Sequence, residues 1–551
     1  MKKILFAFFA LFALMNTVAA QKNLDRYRID FVDKRGTPYS VARPWEYLSP
    51  RALARRDRYG IPINFDDLPV APRYINAVTA TGAKVLTTLK WFNSISVQAD
   101  TVQIEKIRKM PFVRAVKATS KTRTPKASRP GGEIVRRTDY TRTSNPYGYG
   151  YNQIKMLNGV VMHDLGYDGT GMMICIMDGG FQNADVMPFF DSIRAEKRLI
   201  ATHDFTDGDD FVYDHSNHGT YVFGCIGANL PGLLIGTAPK ASFVLLKTED
   251  ASSETPQEED NWAAGVEYAD SIGADVVNSS LGYTVFDANA KFLSYKYDDL
   301  NGKKSRASLA ATKAAKKGLL IVNSAGNSGG DDWHYVGTPA DADSILSVAA
   351  VDRFGERAYF SSYGPTADGR IAPNVAARGF DAVSGNLSGY TVDSVSGTSF
   401  SSPITAGMVA SLWSATPRNT NMEVIEALKM AGNQSQKPDD GLGFGIPDYY
   451  KAFYLLNDGL IDANGEDEVF VNRSGELNIA TRNQVFNPLN ADPLNVHIYN
   501  VMGQEVYTRE TLATTELDRH KVQYWEKLPA GAYRVYVQRG RDTYNLLVLK
   551  G

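Results

Sequence analysis

Two cysteines in 551 residues exclude a disulfide-stapled scaffold, and a chain this long can bury its core without one. Cys175 and Cys225 read as small buried apolar side chains, with a bridge between them as the alternative. An excess of charge of one sign is also missing: 59 Lys and Arg stand against 61 Asp and Glu, a net charge of −2. That balance gives no electrostatic reason to expect nucleic acid as a partner, and no basic cluster is interleaved with stacking aromatics. Beyond residue 20 no apolar run reaches the ~20 residues that a membrane-spanning helix needs, so no membrane span is expected in the mature chain. The length implies two to four domains.

The longest apolar run sits at the very start. Lys2 and Lys3 precede an apolar core from Ile4 to Met15, and Val18-Ala19-Ala20 forms a small-residue cleavage site. Residues 1–20 therefore read as a secretory signal. Residues 21–125 form a block with strand-like alternation at Arg26 to Val32 and Ser94 to Ala99, helical spacing at Thr101 to Ile107, and a further strand at Phe112 to Val116. Residues 126–149 lie in a stretch rich in Lys, Arg, Thr, Ser and Pro that cannot bury a core. It reads as an exposed linker and the place of maturation cleavage.

From about residue 150, apolar strands alternate with helical stretches. Phe243 to Leu246 precedes a helix over 256–272, and a helix over 307–317 precedes a strand at 319–322. Such alternation implies an α/β fold, a parallel sheet with helices on both faces, spanning 150–455. Ligands bind beyond the carboxyl ends of such strands. Four segments carry chemistry there. Ile174-Cys175-Ile176-Met177 runs into Asp178-Gly179-Gly180. His218 opens a helical run in Asn217-His218-Gly219-Thr220. Leu320-Ile321-Val322 leads through Ala325 and Gly326 to Asn327. Gly397-Thr398-Ser399 opens another helix. Each alone has an ordinary explanation: an Asp-Gly turn, a structural histidine, a turn asparagine, an N-cap serine. Together their order, Asp…His…Ser with an amide donor between, is one of three orders that distinguish serine-hydrolase scaffolds.

In that order and with those motifs the chain resembles the subtilases, the subtilisin-like serine proteases. Gly236-Thr237-Ala238-Pro239, Val276-Val277-Asn278-Ser279-Ser280-Leu281-Gly282 and Gly443-Phe444-Gly445-Ile446-Pro447 resemble further family landmarks. The resemblance implies a serine endopeptidase in which Ser399 is the nucleophile, His218 the base and Asp178 the group that orients it. It implies an oxyanion hole at Asn327 and substrate binding along Ser280, Leu281, Gly282, Ala325 and Gly326. No cofactor is required for such chemistry and no metal ligand is expected at the site. Structural calcium at Asp207-Gly208-Asp209-Asp210 ranks behind a solvated acidic loop. Tyr221, Gly179 and Arg378 depart from the family pattern without removing a catalytic group. A surface binding protein on an inactive scaffold is the main competing reading, and the presence of all four groups weighs against it.

The flanking blocks follow. Residues 21–125 resemble a subtilase propeptide, which implies an N-terminal domain that inhibits its own enzyme; a simple accessory domain is the alternative. Residues 465–551 return to strands separated by turns, and a β-sandwich is expected. Val501-Met502-Gly503-Gln504-Glu505-Val506, Leu528-Pro529-Ala530-Gly531-Ala532-Tyr533 and the final Leu547-Val548-Leu549-Lys550 resemble the C-terminal sorting domain of type IX secretion substrates. That implies the secretion machinery as a partner and a secreted or cell-surface location in a Gram-negative bacterium. A binding sandwich that stays on the enzyme is the alternative. Protein or peptide substrates complete the expected partners.

Overall fold

The computed structural model describes residues 24–120, 141–288, 290–456 and the strands and turns within 467–550. The signal segment and most of the linker lie outside the described residues.

A seven-stranded sheet positions everything else. Its order is Val375–Arg378, Leu346–Val351, Leu320–Ser324, Val276–Ser279, Met173–Asp178, Ser242–Lys247 and Leu199–Asp204, with every pairing parallel. The central strands are apolar throughout because both faces are covered. Alternation along Met173–Asp178 sorts the two layers. Ile174 and Ile176 face one core with Val222 and Cys225 of the helix His218–Gly227 and with Ile404 and Met408 of the helix Thr398–Ala415. Cys175 and Met177 face the other, with Trp262 and Val266 of Pro256–Ile272 and the alanines of Arg306–Lys316. Both cysteines are unpaired and fully buried. Burial pushes the Cys175 thiol up, and that of Cys225 up to about 12, so neither is a reactive thiolate.

Residues 24–120 form a second unit, a four-stranded antiparallel sheet in the order Lys84–Leu89, Ser94–Ala99, Asp25–Phe31, Val113–Ser120. The strands and the helix Thr101–Arg108 stand close to where the sequence places them. The helices Pro50–Arg58 and Pro72–Thr79 and the strand at 84–89 were not expected. The C-terminal strands form a three-stranded and a four-stranded antiparallel sheet, the latter centred on the buried pair Ile498 and Val535.

The N-terminal unit sits on the helix Pro256–Ile272 through charge. Residues 24–120 carry 17 Lys and Arg against 9 Asp and Glu, whereas residues 141–456 carry 23 against 37. Arg28 Nε donates to both carboxylate oxygens of Asp260, at 2.8 and 3.0 Å, and Ser96 Oγ donates to the same group at 2.8 Å. Arg55 and Arg56 both reach Asp270, and Lys317 reaches back to Asp67 at 2.5 Å. Glu267 accepts the backbone N–H groups of Lys90 and Trp91 at 2.6 and 3.0 Å. Asp260, Asp270 and Asp67 are all buried, so each depends on its partner to offset desolvation. The Asp260→Ala change leaves the Arg28 guanidinium without its counter-charge. It is expected to weaken the hold of the N-terminal unit by about 3–5 kcal/mol, read as an earlier unfolding transition of that unit in the full chain. An unchanged transition would show that the pair carries no net stability.

Candidate active site

Asp178 ends the strand Met173–Asp178 and is 1% exposed. His218 is the first residue of its helix, and its Nδ1 lies 2.9 Å from both Asp178 oxygens. Two glycines make that approach geometrically feasible. Gly180 has φ +140, and a Cβ there would stand 2.3 Å from the Asp214 carbonyl oxygen, in the segment leading to His218. A Cβ on Gly219 would stand 2.4 Å from the Gly180 carbonyl oxygen and 2.9 Å from Asp178 Cβ. Neither clash can be relieved by moving a flexible side chain, so the two motifs need glycine to lie against each other. Asp178 Oδ1 also accepts the Gly179 N–H at 2.8 Å. Burial alone would lower the pKa of His218. The charge and hydrogen bond of Asp178 outweigh it and leave the imidazole above its ordinary value.

Ser399 is the second residue of the helix Thr398–Ala415 and is half-buried. The helix start carries unpaired N–H groups and the positive end of the dipole. Four residues on, Pro403 has no N–H to give to the Ser399 carbonyl. Ser280 Oγ takes up that carbonyl at 2.8 Å, and Ser399 Oγ donates back to the Ser280 carbonyl at 3.4 Å. Asn278 backs Ser280 at 3.3 Å and accepts from Ser402 Oγ at 2.9 Å. A proline thus ties the serine helix to the end of the strand Val276–Ser279. Phe400, next to Ser399, has its ring 5.7 Å from that of His218. Among the described residues the Ser399 hydroxyl bonds to Ser280 and not to His218. A χ1 change to another staggered well re-aims it, and such bonds tighten when substrate binds.

Asn327 is exposed on the loop after Leu320–Ser324. Thr398 fixes its orientation. The Thr398 N–H and hydroxyl reach Asn327 Oδ1 at 2.9 and 2.8 Å. A backbone N–H can only donate, so the atom it meets is the oxygen, and the Nδ2 amino group faces the other way, 3.5 Å from where a Gly397 Cβ would stand. Thr398 Oγ1 also accepts the Gly326 N–H at 3.2 Å. The sequence singles out Asn327 and passes over Thr398. The signal was the Gly397-Thr398-Ser399 run, which sets a hydroxyl-bearing residue directly beside Ser399.

The expected substrate edge divides in two. The Gly282 backbone N–H and C=O make no hydrogen bond among the described residues, while the Leu281 carbonyl accepts from Asn323 Nδ2 at 3.1 Å. Ala325 and Gly326 have their backbone groups engaged with Val348, Gly337, Thr398 and Ser362. Neither residue offers a free backbone group for strand pairing.

The acidic loop at 204–214 already holds a cation of its own. Lys247 Nζ is 2.7 Å from Asp204, 3.6 Å from Asp207 and 3.9 Å from Asp214. Asp209 accepts the Phe211 N–H, and Asp210 faces His203. Among the described residues no group of three or more His, Cys, Asp or Glu is disposed to hold a metal ion. Lys247 thus supplies counter-charge to the loop. Of the family departures, Tyr221 donates to the buried Asp393 at 2.8 Å, and Arg378 reaches Asn152 and the Asp381 carbonyl. Both act in packing.

Two carboxyl groups near the site escape the sequence reading. Glu249 and Glu258 lie at the end of the strand Ser242–Lys247 and the start of the helix Pro256–Ile272. Burial, with the charges of Glu254 and Asp178, pushes Glu249 up to about 8. Burial and the charges of Glu249 and Glu254 hold Glu258 well above the carboxylate range.

Residues 169–445 match the profile of the subtilase family, and residues 26–131 match that of the peptidase S8 propeptide domain of Bacteroidota. The thermostable alkaline protease of Halalkalibacterium halodurans is 28% identical over 287 residues, covering 52% of this chain and 68% of that protein. Subtilisin NAT of Bacillus subtilis subsp. natto is 28% identical over 359 residues, covering 64% and 79%. A subtilisin of Bacillus pumilus is 30% identical over 286 residues, covering 51% and 90%. With its parallel sheet, its propeptide domain and its Asp, His and Ser motifs, the chain belongs to the subtilase family of serine endopeptidases.

Proposed function

We propose that Ser399, His218 and Asp178 form the triad of this endopeptidase. Ser399 Oγ attacks the peptide carbonyl while His218 Nε2 takes its proton, and His218 then gives that proton to the leaving amine. Water repeats the cycle on the acyl-enzyme. Asp178 holds the Nδ1 proton and balances the imidazolium. Asn327 Nδ2 and the Ser399 N–H stabilise the oxyanion, a role in which one amide donor is worth about 10²–10³ in turnover. The observation that carries this reading is the contact of His218 Nδ1 with both oxygens of a buried Asp178. An extended substrate lies along Ser280, Leu281 and Gly282 and is read mainly through its backbone, with Ala325 and Gly326 as the floor.

The domain reading is 1–20 signal, 21–125 inhibitory propeptide, 126–149 linker, 150–455 peptidase and 465–551 sorting domain. The basic N-terminal unit, docked on the acidic helix Pro256–Ile272, is the built-in inhibitor until the linker is cut. The C-terminal strands and the Val501-Met502-Gly503 turn support export through a type IX machinery to the cell surface or medium of a Gram-negative bacterium. A propeptide profile drawn from Bacteroidota is in keeping with that. The Lys247 ammonium takes the place that calcium would fill at the acidic loop.

A fluorophosphonate probe is expected to label the matured protein at Ser399. Ser399→Ala is expected to abolish labelling and to lower peptide hydrolysis by about 10⁶; retained hydrolysis would overturn the assignment. The rising limb of kcat/KM against pH is expected above the ordinary histidine value of about 6.5, because His218 must lose its proton to act. Asp178→Asn removes the groups that raise its pKa. The limb then shifts to lower pH while the rate falls by about 10⁴. A limb that stays in place would remove Asp178 from the triad.

A further inference from the structure

Four buried acids of this protein hold a cation of their own. Asp260 has Arg28, Asp270 has Arg55 and Arg56, Asp67 has Lys317, and Asp204 has Lys247. Glu249 is half-buried, and its hydrogen-bond partners are neutral: Tyr283 O–H at 2.7 Å and Thr248 Oγ1 at 3.1 Å. Among the described residues no Lys, Arg or His pairs with it or with Glu258 behind it. Burial and the charge of Glu254 make ionisation of both groups harder.

Its position gives that missing partner a meaning. The Thr248 N–H donates to the Asp178 carbonyl at 3.0 Å. Glu249 Cβ and Ser216 Cβ lie 3.6 and 3.7 Å from where a Gly179 Cβ would stand, and Ser216 Oγ accepts the His218 N–H. On the other side, Tyr283 lies two residues beyond Leu281 on the substrate edge. Glu249 thus bridges the His218 wall of the cleft and the Ser280–Gly282 edge. In an extended substrate, successive side chains point to opposite sides. If the acyl residue points between Ser280–Gly282 and Ala325–Gly326, the residue before it points towards His218 and Glu249.

We propose that Glu249 selects substrates with Lys or Arg at the residue immediately N-terminal to the acyl residue. The incoming cation supplies the counter-charge that the protein withholds. The chain contains such a substrate: residues 121–140, between the two units, carry six Lys and Arg against two acids. This proposal rests on the triad reading above.

The test uses the full chain after maturation and four fluorogenic peptides that differ only at that residue: Lys, Arg, Gln and Glu. kcat/KM is expected to be about tenfold or more higher for Lys and Arg than for Gln, the scale of one hydrogen bond to a charged group, and lowest for Glu. Glu249→Gln keeps an acceptor for Tyr283 and is expected to bring the Lys-to-Gln ratio close to one. Glu249→Lys is expected to invert the order. Fluorophosphonate labelling of each variant at Ser399 reports an intact fold. A labelled wild type with no basic preference, or a labelled Glu249→Gln with the preference retained, overturns this proposal alone. A wild type that neither labels nor cleaves overturns the triad reading and this proposal with it. In a second readout, the new N terminus made by the wild type, and absent in Ser399→Ala, is expected two residues after a Lys or Arg. A cut elsewhere contradicts the proposal.

Discussion

The pairing of the Asp178 carboxylate with the His218 imidazole is the constraint on which the architecture turns. A carboxylate at the end of a central strand, 1% exposed, needs a strong partner to offset its desolvation. The imidazole at the start of a helix supplies one. For the two to meet, that helix must lie against the strand end, and Gly180 and Gly219 remove the atoms that would prevent it. The same contact fixes the Nδ1 tautomer and leaves Nε2 free to move a proton.

The serine side is held by a different device. Pro403 interrupts the hydrogen bonding of the first helical turn, and the Ser399 carbonyl that it frees is taken by Ser280. A local break in a helix becomes a long-range tie to the neighbouring strand. Thr398 does the same for Asn327 by occupying the amide oxygen. Ser399 and Asn327 are thus held by Ser280 and Thr398, residues distant from them in the chain.

Much of this was legible in the sequence where the determinant is local. The helix Pro256–Ile272 has Pro256 at its first turn and left-handed Gly273 after its last residue, the usual marks of start and stop. The four motifs were legible because each needs its small or polar residues for a reason internal to the motif. The helix Pro50–Arg58 was not. Its Arg55 and Arg56 are buried, but against Asp270 and not an apolar core, so the helix lacks the apolar period that betrays most buried faces. The side-chain role of Ser280 and the place of Glu249 were hidden because their partners lie far away in the chain or across the cleft. At the acidic loop 204–214 the counter-charge was hidden for the same reason. Lys247 pairs in register with Asp178 and carries its ammonium into that loop.

The central claim is most directly examined by proton NMR of the full-length Ser399→Ala protein. An Nδ1 proton held between His218 and Asp178 is expected to resonate far downfield of the amide region. It should persist as the imidazole titrates and vanish when Asp178 is replaced by Ala. A spectrum with no such resonance at any pH, or one unchanged by loss of Asp178, would contradict the account.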